Sequence, residues 1–139
     1  VSAGLGAFAF AWIDDWIGAK RTLVISISGL LLGVTGGVLA PSEPWFWAAG
    51  IGLGIFIGPT QSASRSMMAR LSPPGREAEM FGLFALSGRA TAFAGPLLVG
   101  WVTLAFDSQR AGMATILGFL AVGLLILLPL REPVQTPAP

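Results

Sequence analysis

Arg89 is the residue in this sequence most in need of a chemical explanation. It stands in an apolar stretch, FGLFALSGRATAFAGPLLVGWVT, with Ser87 and Thr91 two residues to either side and the Gly95–Pro96 pair beyond. A cation inside such a run points to binding of an anion, pairing with a distant acid, or access to water, because an uncompensated charge at that depth costs several kcal/mol. Snorkelling of the long side chain toward the nearer edge is the alternative. A second polar group interrupts another apolar run at GPTQSAS, where Pro59, Thr60, Gln61, Ser62 and Ser64 bring a helix breaker and hydrogen-bonding groups together. Irregular backbone of that kind is tolerated in lipid where it lines a cavity or is buried in protein. The simpler outcome is a kink at Pro59, with hydroxyls bonded back to carbonyls one turn earlier. The third constellation is Asp15, Gly18, Lys20 and Arg21, an acidic-then-basic turn between two apolar runs.

Other chemistry is poorly served. The chain has no Cys and no His, which removes disulfides, thiolate nucleophiles, ordinary zinc sites and imidazole acid–base catalysis. No two ionisable residues fall at one depth of an apolar run, and Glu77 and Glu79 follow a Pro-Pro-Gly breaker where first-turn acids belong. An enzyme is not expected, nor are a catalytic residue, a metal or a cofactor. Net charge is +1 without a basic run interleaved with aromatics, so nucleic acid is not an expected partner.

The elements that position these residues follow from composition. Of the 139 residues 54% are hydrophobic and only 11% charged, against about a quarter charged in soluble domains, so the surrounding solvent is lipid. Roughly 20 apolar residues cross the hydrocarbon as a helix. Blocks at 22–40, 45–64, 81–105 and 112–130 meet that length, and residues 1–13 form a shorter one. The fold expected is all-α and integral to the membrane, with about five transmembrane helices within 1–131 and a disordered Pro-rich tail at 132–139. Arg89 falls about nine residues, or about 14 Å, into its block, near mid-membrane.

If every block crosses, Lys20, Arg21, Arg65, Arg70, Arg76 and Arg131 share one side and Arg110 stands on the other. The positive-inside rule assigns the loops at 14–21 and 65–80 and the C-terminus to the cytoplasm, with Arg65, Arg70 and Arg76 as basic helix-end residues. Trp12 and Trp16, and Trp45 to Trp47, suit the headgroup level. Gly29, Gly33 and Gly37 in one block and Gly50, Gly54 and Gly58 in the next make small-residue stripes that admit close helix approach, with Ser87, Thr91 and Gly95 as a third. The last block has few small residues and is expected at the edge of the bundle.

The segment AWIDDWIGAKR resembles the loop motif of the major facilitator superfamily, with Asp15, Gly18 and Lys20 matching and Ala11 and Trp16 departing from it. The stretch from Gly58 to Thr103, GPTQSASRSMMARLSPPGREAEMFGLFALSGRATAFAGPLLVGWVT, resembles the autophagy-related vacuolar effluxer-like family of that superfamily, and the likeness continues through SQRAGM. The resemblance implies the C-terminal half of a transporter, its helices equivalent to 8 to 12 of 12, the N-terminal helices of the same chain being absent. It implies a multi-pass secondary active transporter that moves a small solute by alternating access; eukaryotic members are associated with export of amino acids. Arg89, Gln61, Thr60, Ser87 and Thr91 become the substrate or coupling candidates, with Arg65, Gln61 and Arg89 as motif positions. Asp15, Gly18, Lys20 and Arg21 become a cytoplasmic gating loop that latches helices eight and eleven. The expected partners are membrane lipid, the missing helices and a small solute, and the expected location is a bacterial inner membrane. The alternative is a small non-transporting membrane subunit that packs its Gly stripes against partner helices.

Overall fold

The computed structural model describes residues 16–131, so the apolar block at 1–13, Asp15 and the tail at 132–139 lie outside the described residues. Four helices follow in order: α1 (Ala19–Val38), α2 (Glu43–Leu71), α3 (Glu77–Phe106) and α4 (Gln109–Leu127). The described part is helical throughout, as lipid requires of a chain that must satisfy its own backbone. Three of the helices, α1, α3 and α4, are long and apolar enough to cross a membrane. The block at 45–64 was expected to be a fourth. Its helix is 29 residues long, but glycines and the Pro-Thr-Gln-Ser sequence dilute its apolar character below that of the others.

Local chemistry sets the boundaries. Gly18, at φ 85°, turns the chain into α1. Ser42 in extended backbone followed by Glu43 and Pro44 opens α2, where a proline loses no helical hydrogen bond and an acid meets the positive end of the dipole. Expected as a loop, residues 65–71 instead continue α2 to Leu71, and only Ser72 to Arg76 remain as the connection. The Ser72 hydroxyl donates to the Met68 carbonyl at 2.7 Å, and Pro73, Pro74 and Gly75 stop the helix, with Gly75 at φ 84°. Between α3 and α4 the turn is made by Asp107 in left-handed backbone (φ 46°) and by Ser108, whose side chain accepts from the Ala111 amide at 3.4 Å.

The centre of the bundle is α1. It packs antiparallel to α2 and also against α4, while α3 leans on α4 and only lightly on α2. The core lies at one end, where Ala19 and Leu23 of α1 meet Ala63 and Met67 of α2 and Leu127 of α4. Two of the expected glycines make the α1–α2 seam. A methyl added at Gly29 would stand 2.7 Å from the Phe56 ring, and one at Gly33 would stand 2.7 Å from Leu53 Cδ2. On α2, by contrast, Gly50 faces open space, as does Gly95 on α3. The seam is therefore glycine on one side and large side chain on the other, knob against notch, rather than glycine stripe against glycine stripe.

A second close approach joins α3 to α4 at Gly112, which is buried; a Cβ there would overlap the Thr103 hydroxyl and stand 3.0 Å from the Val99 carbonyl. The last helix thus lies between α1 and α3 rather than at the edge. The peripheral helix is α3, which has no buried residue along its 30 positions.

Candidate functional site

Arg89 lies in the middle third of α3, twelve positions after Glu77 and so about 18 Å along the axis. Its side chain is exposed, and among the described residues it has neither a hydrogen bond nor an ion pair. Exposed on α3 with it are Leu86 (64%), Phe93 (74%) and Leu97 (55%), so the guanidinium is set on an otherwise apolar surface.

The hydroxyls that sequence grouped with Arg89 are turned to their own helices. Ser87 Oγ donates to the Phe84 carbonyl at 2.8 Å and Thr91 Oγ1 to the Ser87 carbonyl at 2.9 Å. In α2 the Thr60 hydroxyl donates to the Phe56 carbonyl at 2.7 Å and Ser64 to the Gln61 carbonyl at 3.0 Å. A hydroxyl that bonds the preceding turn satisfies itself in lipid without a partner. The helix runs unbroken through Pro59, which is buried against the bundle, so the break expected at GPTQSAS does not occur. Burial of Pro59 in the bundle accompanies an intact helix although proline removes one backbone bond. Gln61 is exposed on α2. No hydrogen bond between helices joins Arg89, Gln61, Thr60, Ser87 and Thr91 among the described residues; they stand on two helices that barely touch.

Of the loop expected as a gate, the residues from Trp16 onward are described and Asp15 lies outside the described residues. Lys20 Nζ donates to the Leu128 carbonyl at 2.8 Å, which ties the start of α1 to the end of α4. Helices α1 and α4, not α3, are the elements this lysine joins. Arg21 is exposed, with no partner among the described residues. Of the other cations, Arg65 is exposed on α2 and Arg70 is half-buried near its end. Arg76 makes a bidentate pair with Glu79, Nε to Oε2 at 2.9 Å and Nη2 to Oε1 at 2.8 Å, three residues away. That pair is exposed and local, so it braces the start of α3 and is worth little more than an ordinary surface ion pair. In the same turn the Gly75 amide donates to Glu77 Oε1 at 3.1 Å.

Three features were not legible in sequence. At the opposite end of the bundle, Arg110 Nη2 donates to the Ala40 carbonyl at 3.1 Å, just past the end of α1. A cavity of about 470 Å3 opens there, lined by Gly37, Ala40, Glu43, Phe46, Arg110 and Met113 among others. Deeper in α1, the fully buried Ser26 hydroxyl has no hydrogen-bond partner. A lone arginine on the cation-poor side was the one available signal for the first two, and the third had none.

Helices of this length and apolarity, an exposed cation at mid-helix and basic residues gathered at helix ends define a multi-pass α-helical membrane protein. Comparison with known proteins narrows the class. The family described as Vacuole effluxer Atg22 like matches residues 1–133, and the chain belongs to that family of transporters of the major facilitator type. It is 33% identical over 144 residues to autophagy-related protein 22 of Coccidioides immitis, covering 93% of the chain and 23% of that protein. It is 34% identical over 145 residues to autophagy-related protein 22-1 of Aspergillus niger, covering 94% of the chain and 23% of that protein. With autophagy-related protein 22-2 of Emericella nidulans identity is 38% over 95 residues, 68% of the chain and 15% of that protein. The chain thus spans less than a quarter of the length of these curated relatives. No solved structure matches it.

The comparisons also correct the expected location. These relatives are fungal and the family is described by the vacuole, so the bacterial inner membrane does not stand. Cation bias reads which face of a membrane a loop occupies, and hydropathy reads that a membrane is crossed; neither carries information about which membrane it is.

Proposed function

We propose that this chain is part of a secondary transporter in which Arg89 faces the solute path, contributing a fixed positive charge to a site near mid-membrane. Support comes from Arg89 itself: a cation at mid-helix on an apolar surface, unpaired among the described residues, in a chain whose family is one of effluxers. Such a charge is retained only where water, a carboxylate or a substrate anion meets it. Because α3 is exposed along its length, a solute path beside it needs a second wall, and the helices of the longer relatives are the source of that wall. A small solute with a carboxylate, amino acids among them, fits a guanidinium, and rocking of two helical bundles about the site would expose it to each side in turn.

The remaining roles are assigned on the same footing. Gln61 is a second polar contact on α2, whereas Thr60, Ser87 and Thr91 are helix-satisfied and secondary. The loop through Gly18, Lys20 and Arg21, with Arg65, Arg70 and Arg76, faces the cytoplasm. The subunit alternative has less support, because Gly29 and Gly33, its chief contact positions, are filled from within the chain by Phe56 and Leu53.

The test is solute uptake by the full-length protein in proteoliposomes against a panel of amino acids and other small carboxylates. Uptake of at least one of them, lost in Arg89→Ala protein that inserts normally, is the expected outcome. Uptake unaffected by the substitution would remove Arg89 from the path, and no uptake of any carboxylate would overturn the solute class.

A further inference from the structure

A groove of about 460 Å3 runs along the first turns of α1, lined by Ile17, Lys20, Arg21, Val24 and Ile25. Within α1, Lys20 and Arg21 each stand four residues before Val24 and Ile25 and so share a helix face with them. This face of α1 therefore changes within two turns from two cations to branched apolar side chains, while Ile17 joins the groove from before Gly18. Ile25 is 46% exposed and Trp16, immediately before the groove, is 87% exposed. None of the lining residues is acidic. Arg21 has no partner among the described residues, and Lys20 spends one of its three N–H donors on Leu128 and keeps two.

We infer that this groove is a binding site for an anionic phospholipid, with the headgroup phosphate and its extra negative charge between Lys20 and Arg21 and an acyl chain along Val24 and Ile25. Charge complementarity selects this occupant. Bulk zwitterionic lipid satisfies the apolar half of the stripe but leaves two cations side by side at the membrane boundary, whereas an anionic headgroup neutralises them and its tail covers the isoleucine and valine below. The exposed Trp16, next to Ile17 in sequence, is a side chain suited to headgroup depth. The Lys20–Leu128 bond adds a consequence: a lipid held here sits against the junction of α1 and α4 and braces it. This rests on α1 crossing the membrane and not on what the protein transports.

The experiment is lipid retention by the full-length protein, measured by native mass spectrometry after exchange into equimolar phosphatidylserine and phosphatidylcholine. One tightly held phosphatidylserine is expected on the parent, and Arg21→Gln is expected to reduce its preference over phosphatidylcholine about fivefold, the contribution of one cation near the surface. Ile25→Trp, which fills the groove and keeps both charges, is expected to release the same lipid. Arg110→Gln, at the other end of the bundle, leaves retention unchanged. Equal retention of the two lipids by the parent, retention unaffected in both Arg21→Gln and Ile25→Trp, or an equal loss in Arg110→Gln would each overturn the site.

Discussion

Lys20 and Leu128 are 108 positions apart in sequence and joined by a 2.8 Å hydrogen bond from the lysine ammonium to the leucine carbonyl. The acceptor is the residue that caps the C-terminal end of α4, where carbonyls lack intrahelical donors and the dipole is negative. At the other end of the same helix pair, Arg110 bonds the Ala40 carbonyl beyond the end of α1. Each helix of the α1–α4 pair therefore has its C-terminal end closed by a cation from the beginning of the other, and the antiparallel pair is clamped at both ends.

Removal of either clamp is expected to loosen the pair by a modest amount. Lys20→Met should cost about 0.3 to 1 kcal/mol, since the bond is partly exposed, and Lys20→Arg should restore most of it. Thermal unfolding of the full-length protein in detergent measures this. A Lys20→Met protein as stable as its parent would mean that the carbonyl is equally well served by water.

Close approach at Gly112 sets a sharper expectation. Gly112→Val forces the added side chain into Thr103 and the Val99 carbonyl, and overpacking of this kind costs about 1 to 3 kcal/mol. Gly118 and Gly123, on the same helix, have nothing within 4 Å of an added Cβ, so Gly118→Ala should be neutral or mildly stabilising through helix propensity. Parallel melting curves of the two variants decide the matter, and equal losses would place the α3–α4 contact elsewhere.

Removing the hydroxyls of α2 and α3 should matter little to transport. Thr60, Ser87 and Thr91 each bond a carbonyl of their own helix, so Thr60→Val, Ser87→Ala and Thr91→Val are expected to change initial uptake rates by less than about twofold, the scale of a helix-satisfied hydroxyl. A tenfold loss in any of them would show that the hydroxyl leaves its carbonyl to meet the solute.

The all-helical character of the described residues was legible in sequence because lipid leaves so little choice: apolar runs of membrane length must be helical, and breakers such as Pro73–Pro74–Gly75 must separate them, although only three of the four described helices are apolar enough to cross. Gly29 and Gly33 announced a seam by spacing alone. What met them did not, because Phe56 and Leu53 are ordinary apolar residues in sequence and become knobs only when α1 and α2 are set in register. The same limit applies to the polar groups. Sequence singled out Arg89, Ser87, Thr91, Thr60 and Gln61 as polar groups within apolar runs, but whether a hydroxyl faces a cavity or its own carbonyl depends on a side-chain torsion. The extension of α2 to Leu71 was masked by arginines and serines, which read as loop when hydropathy is the signal but are good or tolerable helix formers once beyond the hydrocarbon. Lys20 was read as a gating cation from its motif, and its acceptor, a carbonyl 108 residues away, has no sequence signature.

Arg89 allows insertion and transport to be separated. A guanidinium at mid-helix opposes membrane entry by about 2.5 to 3.5 kcal/mol on insertion scales, so Arg89→Ala should insert at least as well as the parent. If the cation serves the solute path, the same variant should lose uptake by about a hundredfold or more, the range expected when one partner of a desolvated charge contact is removed. Arg89→Lys keeps the charge but not the planar fork, and should recover part of the rate with a weaker apparent affinity. Insertion is read by glycosylation or cysteine-accessibility mapping and transport by initial uptake in proteoliposomes. The combination that contradicts the role is normal insertion with uptake unchanged in the alanine variant. If Arg89→Lys is as inactive as Arg89→Ala, directional bonding by the guanidinium, and not charge alone, is what the solute requires.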